Sequence, residues 1–87
     1  MKIEYSSHKN KINMQRHGIS LADAEPVLFD SMAITIDDPN HNEFRYITIG
    51  MDALMRIIVL VWTDCCDDCY RLISARKAES HEIKAYQ

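Results

Sequence analysis

The spacing of apolar residues changes along this chain, and each spacing predicts a different kind of element. Before residue 30 the spacing is near 3.6 residues, which is typical of helices. Residues 8–17 are predicted to form a polar helix that Ser6 or Ser7 caps and Gly18 ends. A second helix is predicted to begin at Ser20, where the sequence fits a capping box. Pro26 is either accommodated in the first turns of this helix or kinks it.

From residue 32 the apolar period is 2, which predicts strands with one face on the core. Because alternate side chains of a strand point to opposite faces, we expect Ile47 and Ile49 to point inward and Thr48 to lie on the other face. Trp62 ends an apolar stretch and is expected in the core. The predicted strands are 2–5, 32–36, 45–49, 56–63 and 70–75, joined by turns at 37–42, 50–54 and 63–69, and a C-terminal helix is predicted over 76–86.

The connections between the later strands have hairpin length, which favours an antiparallel meander. Helices on one face of such a sheet give the α+β class, with two N-terminal helices and one C-terminal helix. The 87 residues are enough for one domain, 1–87. No apolar run approaches the roughly 20 residues needed to cross a bilayer, and no apolar leader is apparent. We therefore expect a cytoplasmic protein with no membrane contact.

Charge is distributed unevenly along the chain. The net charge is −3, but residues 1–20 carry four cations and one acid, and residues 70–87 carry four cations and two acids. The intervening residues, 21–69, carry two cations and ten acids. If the two ends meet in space they form a basic patch on an acidic body, and such a patch can bind a polyanion.

Three cysteines, Cys65, Cys66 and Cys69, lie in the last predicted turn. Their spacing matches half of a zinc site or a redox pair, but no second Cys/His pair has a recognised spacing. The acidic pairs Asp37-Asp38 and Asp67-Asp68 lack an evident third ligand. Solvated turns are the favoured interpretation, and we expect neither a metal nor a cofactor.

The segment 71–78 combines two guanidinium groups, an ammonium and a hydroxyl where a strand gives way to a helix. Arginine's planar fork matches a phosphate group, so this segment predicts a phosphodiester-binding site. In the alternative interpretation each arginine pairs with an acid such as Glu79 or Glu82 and holds the last helix in place.

The order of several short elements resembles the BrnT toxin family of type II toxin–antitoxin systems. These elements are His17-Gly18, Asp37-Asp38-Pro39, the stretch 45–50, Trp62-Thr63, the stretch 73–78 and a tyrosine near the end. The resemblance implies a RelE-like ribonuclease fold and an endoribonuclease that inhibits translation. It also implies a BrnA-like ribbon-helix-helix antitoxin as partner, which would provide the only link to operator DNA.

RNA cleavage without a metal needs a base for the ribose 2′-hydroxyl, cations for the crowded phosphorane and an acid for the leaving oxygen. His17 could serve as acid or base, the usual catalytic role of histidine, although a histidine at a helix C-terminus can also simply favour the dipole. Packing is an alternative role for Tyr86, and solvation for Lys11. The candidate catalytic residues are Arg76, Arg71, His17 and Tyr86, and the candidate substrate-binding residues are Lys11, Ser74 and Lys77.

Two functions of different classes remain open. The first is a metal-independent endoribonuclease toxin that an antitoxin neutralises. The second is a catalytically weak interaction module that binds a ribbon-helix-helix antitoxin and modulates operator binding, which the acidic excess of the chain favours. A poison of DNA gyrase is a weaker third possibility.

Overall fold

The computed structural model describes residues 2–38, 44–66 and 68–87, and its centre is a five-stranded mixed sheet with strand order β1-β5-β4-β3-β2. A 3₁₀ helix, Glu25–Phe29, follows the second α-helix. The other elements are β1 Lys2–Glu4, α1 Ser7–His17, α2 Leu21–Ala24, β2 Ile34–Asp37, β3 Tyr46–Met51, β4 Ile57–Cys66, β5 Cys69–Lys77 and α3 Ser80–Tyr86.

Helix α1 ends where the sequence predicts and begins one residue earlier, at Ser7. The Ser6 side chain accepts a 3.0 Å hydrogen bond from the Lys9 amide and so satisfies one of the first-turn donors. Gly18 adopts the left-handed conformation with φ 69°, and its amide donates to the Met14 carbonyl. Of the two serines proposed as the cap, Ser6 is therefore the one that acts.

Pro26 ends α2 early instead of kinking it. The α-helix stops at Ala24, and the chain continues as a 3₁₀ helix with Pro26 in its first turn. An amide at that position has no partner within the helix, so the missing N–H of proline costs little there.

The sheet is mixed because β1 runs parallel to β5, whereas the other neighbouring strands are antiparallel. The expected antiparallel meander therefore describes only β2 to β5. Hairpin-length connections impose the antiparallel direction on those strands. Strand β1 has no such restriction, because almost the whole chain separates it from β5. It pairs only with the first part of β5.

The prediction for the inward face of β3 was wrong. Thr48 is only 2% exposed and lies on the helix-covered face, whereas Ile47 and Ile49 are half-buried on the other face. The 3₁₀ helix approaches β3 closely at Gly50, where an added Cβ would come within 3.0 Å of Val27 Cγ1. The absence of a side chain at Gly50 thus lets the helices cover this face, and the Thr48 hydroxyl is satisfied by hydrogen bonds to Thr35 and Trp62.

The last strand is longer than predicted, and the last helix starts later. Arg76 and Lys77 pair with Val59 and Ile58 in the sheet, so these two residues extend β5. Helix α3 begins at Ser80, after a capping box formed by Glu79 and Glu82. In the described part of the chain, no helix is long and apolar enough to cross a membrane.

The hydrophobic core lies between the helices and one face of β4 and β5. Trp62 is half-buried and packs against this core, close to its predicted place. The fully buried core residues are Ile19, Leu21, Ala24, Val27, Ile58, Leu60, Leu72 and Ala75.

Candidate functional site

A buried asparagine joins helix α1 to the edge of β5. Asn13 is 3% exposed, and its Nδ2 donates to the carbonyls of Ala75 and Ile19 at 2.9 and 2.8 Å. Its Oδ1 accepts a 2.9 Å hydrogen bond from the Ala75 amide. Because β1 ends at Glu4, this side chain makes the hydrogen bonds to Ala75 that a neighbouring strand would otherwise make. Asn13 therefore places the basic helix beside the basic strand.

A cleft of about 260 Å³ lies along this junction. Lys9, Arg16 and His17 line it from the helix, and Ser74 lines it from the strand. Ile73 also faces the cleft and has no partner on β4, because Leu72 pairs with Trp62 and Ser74 with Val61. This irregularity is a β-bulge, a feature that re-aims side chains and occurs often next to active sites.

A second cleft of about 350 Å³ adjoins the first and shares Lys9 with it. Glu4, Ser6 and Arg71 are among the residues that line it. We refer to the two clefts together as the basic groove. The groove contains more cations than acids, and it forms where the two basic ends of the chain meet.

Arg71 lies at one end of the basic groove and forms an ion pair. Its Nη2 and Nε donate to Glu4 Oε1 at 2.9 and 3.2 Å. The arginine side chain is 52% exposed, so water screens this interaction and the pair is weak. The guanidinium group can therefore exchange its partner for a phosphate at small cost.

Arg76 forms a stronger ion pair. Its two terminal nitrogens donate to the two oxygens of Glu82, each at 2.8 Å, in a bidentate arrangement. Hydrogen bonding from Arg76 is the main reason that the pKa of Glu82 falls to about 2. The same bonds raise the pKa of Arg76, and Glu79 adds a longer contact at 3.9 Å. The pairing with Glu82 is the arrangement that the alternative interpretation of the arginines anticipated.

The other predicted site residues lie apart from the groove. Tyr86 donates a 2.7 Å hydrogen bond to Asp30 Oδ2, and this bond raises the pKa of the phenol. Lys77 is exposed at the end of β5, in register with Ile58. Lys11 is exposed about 200° around α1 from Lys9 and so points away from the groove.

The structure therefore brings together His17 and Ser74, places Arg71 at the adjoining cleft, and leaves the other predicted residues outside the groove. Sequence reasoning missed Lys9 and Arg16, which contribute two of its cations. Their spacing of seven residues is two helical turns and was the available signal. The bulge at Ile73 had no sequence signal.

The predicted acidic turns and cysteines are only partly described. Residues 39–43 and 67, with the side chains of Cys65 and Cys66, lie outside the described residues. Cys69 is buried. Within the described ranges, no three His, Cys, Asp or Glu side chains are arranged to hold a metal ion.

Comparison with known proteins gives a match over most of the chain. Residues 5–82 match the family described as "Ribonuclease toxin, BrnT, of type II toxin-antitoxin system". The fold is similar to the crystal structure of the Brucella abortus ribonuclease toxin BrnT, with a TM-score of 0.69 and 26% sequence identity. That match covers 92% of this chain and 99% of the Brucella chain. No curated protein matches the chain.

Proposed function

Because this chain belongs to the BrnT family of type II toxin–antitoxin ribonucleases, we propose that it is a metal-independent endoribonuclease that binds RNA in the basic groove. One observation carries the proposal. Helix α1 lies against β5 so that Lys9, Arg16 and His17 share a cleft with Ser74. A groove with these cations suits a polyanionic backbone better than any other class of ligand.

The spacing of the cations indicates that they contact several phosphates. Lys9 and Arg16 are about 10 Å apart along α1, at 1.5 Å per residue. Arg71 and Arg76 are about 17 Å apart along β5, so they cannot hold one phosphate together. The groove is therefore proposed to bind a stretch of RNA backbone, with the scissile phosphate beside Ser74.

The proposed cleavage uses the 2′-hydroxyl of the substrate as nucleophile, which limits the activity to RNA. His17 is the groove residue proposed as general acid or base, because histidine is the side chain that most often has this role. Ser74 is placed to donate a hydrogen bond to a phosphate oxygen, and Arg16 to neutralise the charge that develops on the phosphorane. No metal ion is needed in this scheme.

Arg76 lies two residues beyond Ser74 on the same face of β5, in register with Val59. An RNA strand that leaves the groove past Ser74 would reach this guanidinium, which is 39% exposed. Arg76 is therefore proposed to stabilise the phosphorane beside Ser74 together with Arg16, and Arg71 to hold a phosphate at the other end of β5. The roles proposed for Tyr86, Lys11 and Lys77 require a longer RNA path or movement of α3.

A type II toxin has an antitoxin partner, and we propose a BrnA-like ribbon-helix-helix protein in this role. The antitoxin would supply the contacts to operator DNA, and the toxin would act in the cytoplasm by cutting RNA and so inhibiting translation. We also propose a RelE-like fold, which is supported by the largely antiparallel sheet and by the packing of α1 and α2 against β5.

The proposal is tested by incubating the purified protein with RNA in EDTA and comparing wild type with His17→Ala and Arg16→Ala. We expect cleavage with the wild type, and a large loss in both variants while circular dichroism shows an intact fold. Unchanged cleavage in both folded variants would show that the basic groove takes no part in the reaction.

The second candidate function is an interaction module with little catalytic power. The observation that favours it is the pairing of both candidate arginines with acids, Arg71 with Glu4 and Arg76 with Glu82. On this hypothesis the wild type cuts no RNA in EDTA but still binds its antitoxin.

A further inference from the structure

Three half-buried aromatic rings form a row across β3, β4 and β5, on the helix-covered face of the sheet. The rings of Tyr46 and Trp62 are stacked with centroids 4.7 Å apart, and Tyr70 meets Trp62 edge-on at 5.0 Å. Trp62 Nε1 donates a 2.8 Å hydrogen bond to Thr48 Oγ1, which fixes the indole ring. The row is therefore a preformed wall of aromatic surface.

A cleft of about 230 Å³ lies beside this wall, between the sheet and the 3₁₀ helix. Trp62 and Tyr70 line it together with Leu28. Its polar lining includes the Asp30 carboxylate and the hydroxyls of Thr35 and Thr48, which are 2.9 Å apart. We call it the aromatic cleft. None of the described residues that line it is a cation.

The charge near the aromatic cleft is negative. Asp37 is the β2 residue in register with Tyr46, and Asp64 follows Trp62 by two positions on the same face of β4. Both carboxylates are exposed. Their charges, that of Asp64 most of all, raise the pKa of the Tyr46 phenol. An anionic backbone such as RNA is repelled here, in contrast to the basic groove.

We propose that the aromatic cleft binds an arginine side chain presented by a basic segment of a partner protein. A guanidinium group stacks on aromatic faces and gains from cation–π attraction, and nearby carboxylates add to that attraction. Tryptophan and tyrosine in well-ordered pockets are also the residues that most often dominate protein interfaces. The inference does not depend on RNA cleavage, because it concerns a different surface and a different ligand.

The chain provides its own probe for this site. Trp62 is the only tryptophan, so intrinsic fluorescence reports on the wall of the cleft. The titrants are a capped Gly-Arg-Gly-Arg-Gly peptide and the matched peptide with glutamine in place of arginine. We expect a saturable change in Trp62 emission with the arginine peptide and none with the glutamine peptide.

The double variant Asp37→Asn/Asp64→Asn tests the charges beside the cleft. We expect it to bind the arginine peptide about tenfold more weakly, because two exposed ion pairs with the peptide are lost. The control is Asp23→Asn/Glu25→Gln, which removes the same charge from α2 and the 3₁₀ helix. This control is expected to bind like the wild type.

Several outcomes would overturn the proposal. A fluorescence change that does not saturate, or that the glutamine peptide produces equally, shows that the cleft does not select arginine. Equal weakening in both double variants shows an effect of net charge alone. A change in Trp62 emission with protein concentration alone, with a matching rise in mass by light scattering, identifies a second copy of the chain as the occupant. Displacement of the peptide by an RNA oligonucleotide identifies nucleic acid as the ligand of the aromatic cleft.

Discussion

Glu82 holds Arg76 through two parallel hydrogen bonds of 2.8 Å, and this pair joins α3 to the end of β5. The same carboxylate accepts a 2.8 Å hydrogen bond from the Glu79 amide, which caps α3. One side chain therefore anchors the last helix and sets the position of the guanidinium group proposed to act on RNA.

Replacing Glu82 with glutamine is expected to lower the free energy of unfolding by about 1–2 kcal/mol at neutral pH, because a charge-assisted bidentate pair is lost. The pKa of Glu82 is lowered from 4.5 to about 2, so its stabilising effect is complete above pH 4.5 and disappears as the pH falls through about 2. Urea denaturation of wild type and Glu82→Gln between pH 7 and pH 2.5 measures the free energy of unfolding of both proteins. The difference between the two proteins should shrink over the lower part of that range, and a difference that stays constant would contradict the prediction.

Arg76→Ala is expected to abolish RNA cleavage and growth arrest while the protein stays folded. The reason is the loss of a planar guanidinium group that can bind a phosphorane, a geometry that lysine does not provide. Arg76→Lys is the matched variant, because it keeps the positive charge and removes the planar guanidinium group. Normal toxicity of a folded Arg76→Ala protein would show that Arg76 only holds α3.

The double variant Lys9→Ala/Arg16→Ala is expected to weaken RNA binding and to flatten its dependence on salt. Each phosphate contact adds about 0.7 to the slope of log Kd against log salt for single strands, so the slope should fall by about 1.4. Filter binding of a catalytically inactive background protein to RNA at 50–300 mM salt provides the measurement. Lys84→Ala, an exposed lysine on α3, is the control, and its slope should match that of the wild type.

Asn13→Ala is expected to lower the free energy of unfolding by about 3 kcal/mol. The substitution leaves the buried amide and carbonyl of Ala75 without their partner, and each unsatisfied group costs about 1–3 kcal/mol. Gln15→Ala, at an exposed position of the same helix, is expected to change stability by less than about 0.5 kcal/mol. Urea denaturation of both variants tests the difference, and equal stability would show that α1 is held mainly by other contacts.

Local sequence signals predicted the elements well where the decisive contacts are local. The cap at Ser6 and the stop at Gly18 depend on residues within one turn, and the structure has both. Hairpin lengths likewise gave the antiparallel order of β2 to β5.

Where the outcome depends on distant residues, the sequence was less informative. The face of β3 that the helices cover follows from the close approach of Val27 to Gly50, which periodicity does not reveal. The extension of β5 to Lys77 follows from pairing with β4, and it placed Arg76 on a strand where a helix was expected. In the groove, His17 and Ser74 were anticipated, whereas Lys9 and Arg16 required knowledge of which side of α1 faces the sheet.

The hydrogen bonds of Asn13 also make the two walls of the groove a single cooperative unit. Helix α1 cannot lift away locally without breaking its hydrogen bonds to the backbone of β5 at Ala75. The amide proton of Ala75 should therefore exchange with solvent only in global unfolding events, as slowly as the amides of β4. A groove whose walls open only with the whole molecule keeps its width fixed, so its ligand must fit a preset gap.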